Sequence, residues 1–149
     1  MEAYNSKLRK PAVAGKFYPS DVKQLEAEVK EFLRNSDSKQ LGEISGLISP
    51  HAGYVFSGRT AATAFAQLNP ESKFENIFII GSSHHHHFGK AAVYSEGDWE
   101  MPYGKETVNT DIGNELTKNF PEIFTCNPLY HKEEHSLDIC SSKRNIIPL

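Results

Sequence analysis

Two histidines stand where apolar runs of the chain break off. The first run ends in Ser49-Pro50-His51-Ala52-Gly53-Tyr54 and the second in Gly81-Ser82-Ser83-His84. In an open sheet of parallel strands, ligands gather in the crevice beyond the carboxyl ends of the strands, so His51 and His84, delivered there by neighbouring strands, can share one bound ion or substrate. Pro50 before the first histidine, with Gly53 and Gly58 after it, fits a tight strand-to-helix loop whose backbone comes close to a ligand. Two imidazoles make half of a divalent transition-metal site. An added carboxylate would complete the facial arrangement of non-haem iron oxygenases, while imidazole also suits zinc and copper. Further along, Glu134 and His135 place a carboxylate beside an imidazole. Such a pair can orient a ring or move a proton, and it also occurs in solvated loops. Tyr54, Trp99 and Tyr103 are candidates for pocket walls, or equally for core or lid packing. Cys126 has no neighbouring base that would mark it as a nucleophile and reads as structural.

The elements that must position these groups follow from periodicity. Residues 20–33 predict an amphipathic helix, with Val22, Leu25, Val29, Phe32 and Leu33 at helical spacing and Ser20 or Asp21 as cap. Residues 44–48 predict a first core strand, 58–68 an alanine-rich helix capped by Ser57 and ended by Asn69-Pro70, and 74–80 a second strand. Strand, helix and strand over this length predict a right-handed βαβ crossover, which would bring His51 and His84 out on one sheet edge. Beyond it lie a short strand at 91–94, an aromatic, Gly-containing loop at 96–104, a helix at 111–119 after Thr110 and a strand at 123–126. Residues 130–136 read as a polar loop. The fold class is α/β, a mostly parallel sheet flanked by helices.

Composition bounds the alternatives. The 149 residues are 38% hydrophobic and 23% charged, which suits one modest core in a single domain spanning 1–149. Formal charge is -3 and the basic residues are scattered among acids, which argues against nucleic acid or an anionic membrane as partner. The first ten residues lack a signal-peptide core, and 77–80 is too short an apolar run to span a bilayer, so a cytoplasmic setting is expected. Cys126 and Cys140 are the only cysteines. Two such residues without zinc-knuckle spacing read as reduced thiols.

Several blocks, in order, resemble one family. Pro11-Ala12-Val13-Ala14-Gly15-Lys16-Phe17-Tyr18-Pro19, then LISPHAGYVFSG at 47–58, IFIIGSSHH at 77–85 and EEHSLD at 133–138, are similar to the Memo-like proteins. That group includes protein B of the AmmeMemoRadiSam system, and its fold is similar to class III extradiol dioxygenases of the LigB type. The resemblance covers nearly the whole chain. It implies that His84 is the metal-facing residue of the histidine run, with His85 as an orienting neighbour and His86 and His87 as bystanders. It also implies that Glu134 and His135 sit near the same cleft as catalytic acid, base or orienting groups. Iron becomes the first expectation for the metal, with zinc or copper as alternatives, and a metal-dependent oxidoreductase or dioxygenase-like activity the first expectation for function. The alternatives are a non-catalytic cleft for a peptide or phosphopeptide, against which the lack of an arginine cluster near the histidines weighs, and an inactive product. Family members continue past this length and carry there a Ser-Ser-Asp-x-x-His block and a remaining metal ligand. The resemblance therefore implies a front half, truncated and incomplete at its C-terminal side, with a sheet edge open to oligomer formation. Where the family continues into apolar sequence, Cys140-Ser141-Ser142-Lys143-Arg144 reads as a charged interruption of the core. The ligand is expected to be a small molecule or a peptide.

Overall fold

The computed structural model describes residues 8–39 and 41–144. They gather into two compact units. One joins the chain up to Ala12 with Ser82–Glu134, and the other joins Val13–Gly81 with the chain from His135 onward.

In the second of these units the expected first helix is present as α1 (Val22–Arg34), and the Asp21 carboxylate caps it by accepting the Gln24 N–H at 2.9 Å. Its apolar stripe buries Leu25 and Val29. Helix α2 (Tyr54–Phe65) begins four residues earlier than its sequence predicts, with Gly53 rather than Ser57 at the cap position. The reason is tertiary. The Tyr54 N–H, an orphan donor of the first turn, is taken by the Phe17 carbonyl at 2.8 Å, and Ser57 turns its hydroxyl back to the Ala52 carbonyl. α1 and α2 pack together, and Gly58 permits it, since a Cβ there would overlap the Phe32 ring.

The segment that supplies Phe17 is a tight turn. The Val13 carbonyl accepts both the Lys16 and Phe17 N–H groups, and Gly15 adopts φ 78°, a left-handed conformation that glycine takes without steric penalty. Helix α4 (Ser136–Arg144) closes this unit. Residues 140–144, where the sequence suggested interrupted core, continue this helix, which buries Ile139 completely. The buried Asp138 carboxylate accepts the Val13 N–H at 3.3 Å. Residues 145–149 lie outside the described residues.

The two strands expected at 44–48 and 74–80 are not formed, and with them the βαβ crossover that was to deliver His51 and His84. Ile48 is 98% exposed and Ile80 92%. A strand persists through ladder hydrogen bonds to a neighbour, and among the described residues neither segment takes part in a ladder.

The other unit holds the sheets. β1 (Ala91–Val93) pairs in parallel with β4 (Phe124–Cys126), Ala92 opposite Thr125, and α3 (Thr110–Asn119) lies between them in sequence. These three elements match the sequence expectation within two residues. Asn109 caps α3 through its side chain, and Gly113 lets the helix approach closely, since a Cβ there would meet Ser95 at 2.7 Å. The stretch expected as a loop at 96–104 instead contributes to an antiparallel hairpin, β2 (Trp99–Met101) with β3 (Gly104–Glu106). Strands of three residues are too short to show an alternating period. Lys105 bonds Asp98 at 2.6 Å, and this hydrogen bond holds the Asp98 carboxyl below its ordinary range.

Among the described residues the fold is thus mixed α/β, with one parallel and one antiparallel strand pair. Among the described residues no helix is long and apolar enough to cross a membrane.

Candidate metal centre

His84 is anchored by a carboxylate. The Glu134 side chain, 6% exposed, accepts the His84 backbone N–H through Oε2 at 2.7 Å and meets its ring Nδ1 through Oε1 at 2.8 Å. An ionised carboxylate only accepts hydrogen bonds, so Nδ1 carries the proton, and in the neutral ring Nε2 then keeps its lone pair. Metal-bound histidines are commonly held in this way, the carboxylate fixing tautomer and ring direction while raising ligand basicity. Local sequence assists. Ser83 Oγ bonds the His86 carbonyl at 2.8 Å and receives the His86 N–H, bending the chain so that His84 stands at a turn.

Glu134 sits in what the sequence read as a polar loop, and its burial has a visible cause. A 3₁₀ turn, Pro128–Tyr130, is capped by the Asn127 side chain, and Tyr130 stacks on Phe88 with ring centroids 4.4 Å apart. Arg9 then reaches across. Its Nε and Nη2 donate to the His131 carbonyl at 3.1 and 2.7 Å, and Nη2 also donates to the Glu134 carbonyl at 2.8 Å. His131 is buried with an Nε2 that finds no hydrogen-bond partner among the described residues. Burial, then the nearby Arg9 charge, hold its pKa below the usual 6.5, with Glu134 opposing.

His51 and His135 belong to the other unit. His135 follows Glu134 directly and its carbonyl accepts the Ile139 N–H that opens α4. Its ring lies 5.6 Å from that of His51 and 5.1 Å, edge to face, from Phe17. His51 precedes Gly53, where a Cβ would come within 3.3 Å of the Phe17 carbonyl. Phe17 of the turn at 13–18 thus touches the His135 ring and lies against the backbone at Gly53, two residues after His51. Gly81 faces Ser136 so closely that a Cβ would overlap its side chain. Gly81 and His84 on one stretch thus contact Ser136 and Glu134 on the other.

His51 and His135 in one unit and His84 in the other each offer a ring nitrogen of the kind that ligates a metal ion. The sequence named His51 and His84 as ligands and gave His135 a catalytic role. The geometry sets His135 beside His51 and hydrogen-bonds Glu134 to His84. His85 is exposed, as is His87. Trp99 is buried beneath Arg9 and edge to face with Tyr94. Tyr54 is buried at the start of α2, 5.9 Å from the Tyr18 ring, and Tyr103 is half-buried in the β2–β3 turn. Cys126 is exposed, 3.2 Å from Ser95 Oγ.

Sequence reasoning missed Arg9, Phe17 and Asp138. Arg9 and Phe17 flank or lie in the block at 11–19, and Asp138 ends the block at 133–138, so the similarity was a signal although nothing in local pattern told their roles.

Comparison with known proteins supplies a family. The sequence profile of the Memo-like proteins matches residues 9–141. A MEMO1 family protein of Pyrococcus abyssi is 36% identical over 133 residues, covering 89% of this chain and 45% of that protein. One from Thermoplasma volcanium is 36% identical over 136 residues, with coverages of 89% and 48%. One from Methanosarcina mazei is 35% identical over 133 residues, with coverages of 89% and 46%. The chain spans about half the length of the curated relatives it matches.

Proposed function

Because this chain belongs to the Memo-like protein family, we propose that it binds a divalent transition metal through His51, His84 and His135 and serves metal-dependent redox chemistry of the dioxygenase type on a small molecule. The observation that carries this reading is the Glu134 carboxylate on His84 Nδ1, which presents Nε2 as a preoriented ligand. An all-nitrogen trio suits iron, zinc and copper. Iron is the ion we favour, on the similarity of the family to the LigB-type extradiol enzymes. When bound it would supply Lewis acidity and one-electron chemistry.

The chain's own part is to bind and orient. Glu134 holds the proton on His84 Nδ1, and Phe17 lies against the His135 ring. A cytoplasmic setting with reduced thiols belongs to the same reading, since ferrous iron and free cysteine both persist in reducing compartments.

Anaerobic titration with Fe(II), Zn(II) and Cu(II) tests the proposal. The expected result is one ion per chain, with affinity lowered roughly 100-fold or more by His51→Ala, His84→Ala or His135→Ala, each of which removes a direct ligand. A His51→Ala/His84→Ala double variant with unchanged affinity would place binding in the 86–87 tract and overturn the site. Oxygen consumption with a catechol panel then reads the activity. Stoichiometric metal binding with no oxygen uptake would leave a metal-binding protein and reject the dioxygenase assignment.

A further inference from the structure

Arg9 lies 125 residues from Glu134 in sequence yet bonds its main chain. Its own backbone is pinned beside β2. The Arg9 N–H donates to the Asp98 carbonyl at 2.9 Å and its carbonyl accepts the Glu100 N–H at 2.8 Å, a parallel bridge opposite Trp99. The guanidinium then lies over the Trp99 ring, 4.1 Å from the centroid, in a residue only 7% exposed. From that fixed seat it grips two carbonyls, those of His131 and Glu134.

A guanidinium buried in this way is a rigid, planar fork, always charged and weakly hydrated, and it can hold two acceptors in one defined geometry. Lysine cannot do so, because an ammonium on a flexible stem lacks the planar fork and the face that stacks on indole. Glu134 is consequently held at both ends. Arg9 holds its carbonyl, and the His84 backbone and ring engage its carboxylate.

We propose that Arg9 is a positioning residue for the histidine centre. By fixing the main chain at 131–134 it aims the Glu134 carboxylate at His84 Nδ1 and so selects the tautomer whose Nε2 faces a ligand. A mispositioned carboxylate would leave the His84 proton free to distribute between both ring nitrogens, and the tautomer with Nε2 protonated must rearrange before ligation. The significance of Arg9 for metal binding rests on the metal reading above. Its control of the tautomer does not.

The test separates the two. In metal-free protein labelled with ¹⁵N at histidine, long-range ¹H–¹⁵N spectra report the protonated nitrogen of each ring, with His84→Ala assigning the signal. The wild-type protein is expected to show His84 protonated at Nδ1. Arg9→Lys, which keeps the charge, is expected to retain the near-ultraviolet signature of a packed Trp99 while shifting His84 towards a mixture. Arg9→Gln should shift it further, and if that variant does not fold, the lysine variant carries the comparison. Zinc affinity of Arg9→Lys should fall about tenfold, the lower end of what losing an orienting partner does to a metal site. A lower melting temperature with the His84 tautomer and zinc affinity both unchanged would make Arg9 a purely structural residue and overturn the proposal. A changed tautomer in a protein whose wild type binds no zinc would uphold the role of Arg9 and reject the metal reading alone.

Discussion

Two regions invert what their composition suggests. The stretch at 131–136 is rich in charge, and yet His131, Glu134 and Ser136 are buried. The runs at 44–48 and 74–80 are apolar, but Ile48, Phe78 and Ile80 stand open to solvent. Hydropathy states which groups gain by leaving water, whereas burial itself requires a surface to be buried against. The polar stretch has one, because specific partners meet it: Arg9 on two carbonyls and His84 on the carboxylate. Buried polar groups persist when hydrogen-bonded in this manner. The apolar runs have no ladder among the described residues, and without one a β-branched segment retains its preference for extended backbone but not its place in a core.

The contrast can be broken most forcefully in the packed part of the molecule. Ile139→Ala removes a completely buried side chain and should destabilise by about 2–5 kcal/mol, whereas Ile80→Ala should lie within about 0.5 kcal/mol of the parent. Urea unfolding of the two variants checks this, and equal losses would mean that the run at 74–80 is buried in solution.

Next in size is the buried polar region. Glu134→Gln keeps the shape of the side chain and removes its charge, and should lower metal affinity roughly 10–100-fold, read by the same titration as the histidine variants. Unchanged affinity would show that the carboxylate merely fills space.

His131 sharpens the comparison through pH. Its folded pKa lies below 6.5, so the unfolded chain takes up this proton before the folded one does. The corresponding stability is fully present above 6.5 and is lost as pH falls from there through the folded value. His131→Phe should flatten this part of the stability profile. Thermal melts across pH 5–8 that superimpose for the two proteins would contradict a buried neutral imidazole.

The smallest effect on stability is expected at the exposed runs. Ile48→Lys combined with Ile80→Lys should leave the unfolding midpoint nearly unchanged while reducing self-association by light scattering, since charge on an unpaired apolar segment opposes pairing between chains. If the parent chain scatters as a monomer at the same concentration, these runs are not association surfaces.

Much of this was legible before any coordinates. The helix at 22–34 was, because Leu25 and Val29 recur at helical spacing behind an aspartate that can cap. So were the unit built from β1, α3 and β4, and the two histidines at the ends of apolar runs. These depend on neighbours in sequence. The start of α2 was not, because its first donor is satisfied by Phe17, 37 residues earlier. Nor was the burial of Glu134, since no local period announces an arginine arriving from position 9. The sequence by itself determined which side chains could ligate a metal and which segments favour helix or extended backbone, both properties of residue type and near neighbours. Tertiary structure alone decided that Glu134 orients His84, that His135 lies against His51, and that 44–48 and 74–80 remain outside the core, because each outcome rests on partners distant along the chain.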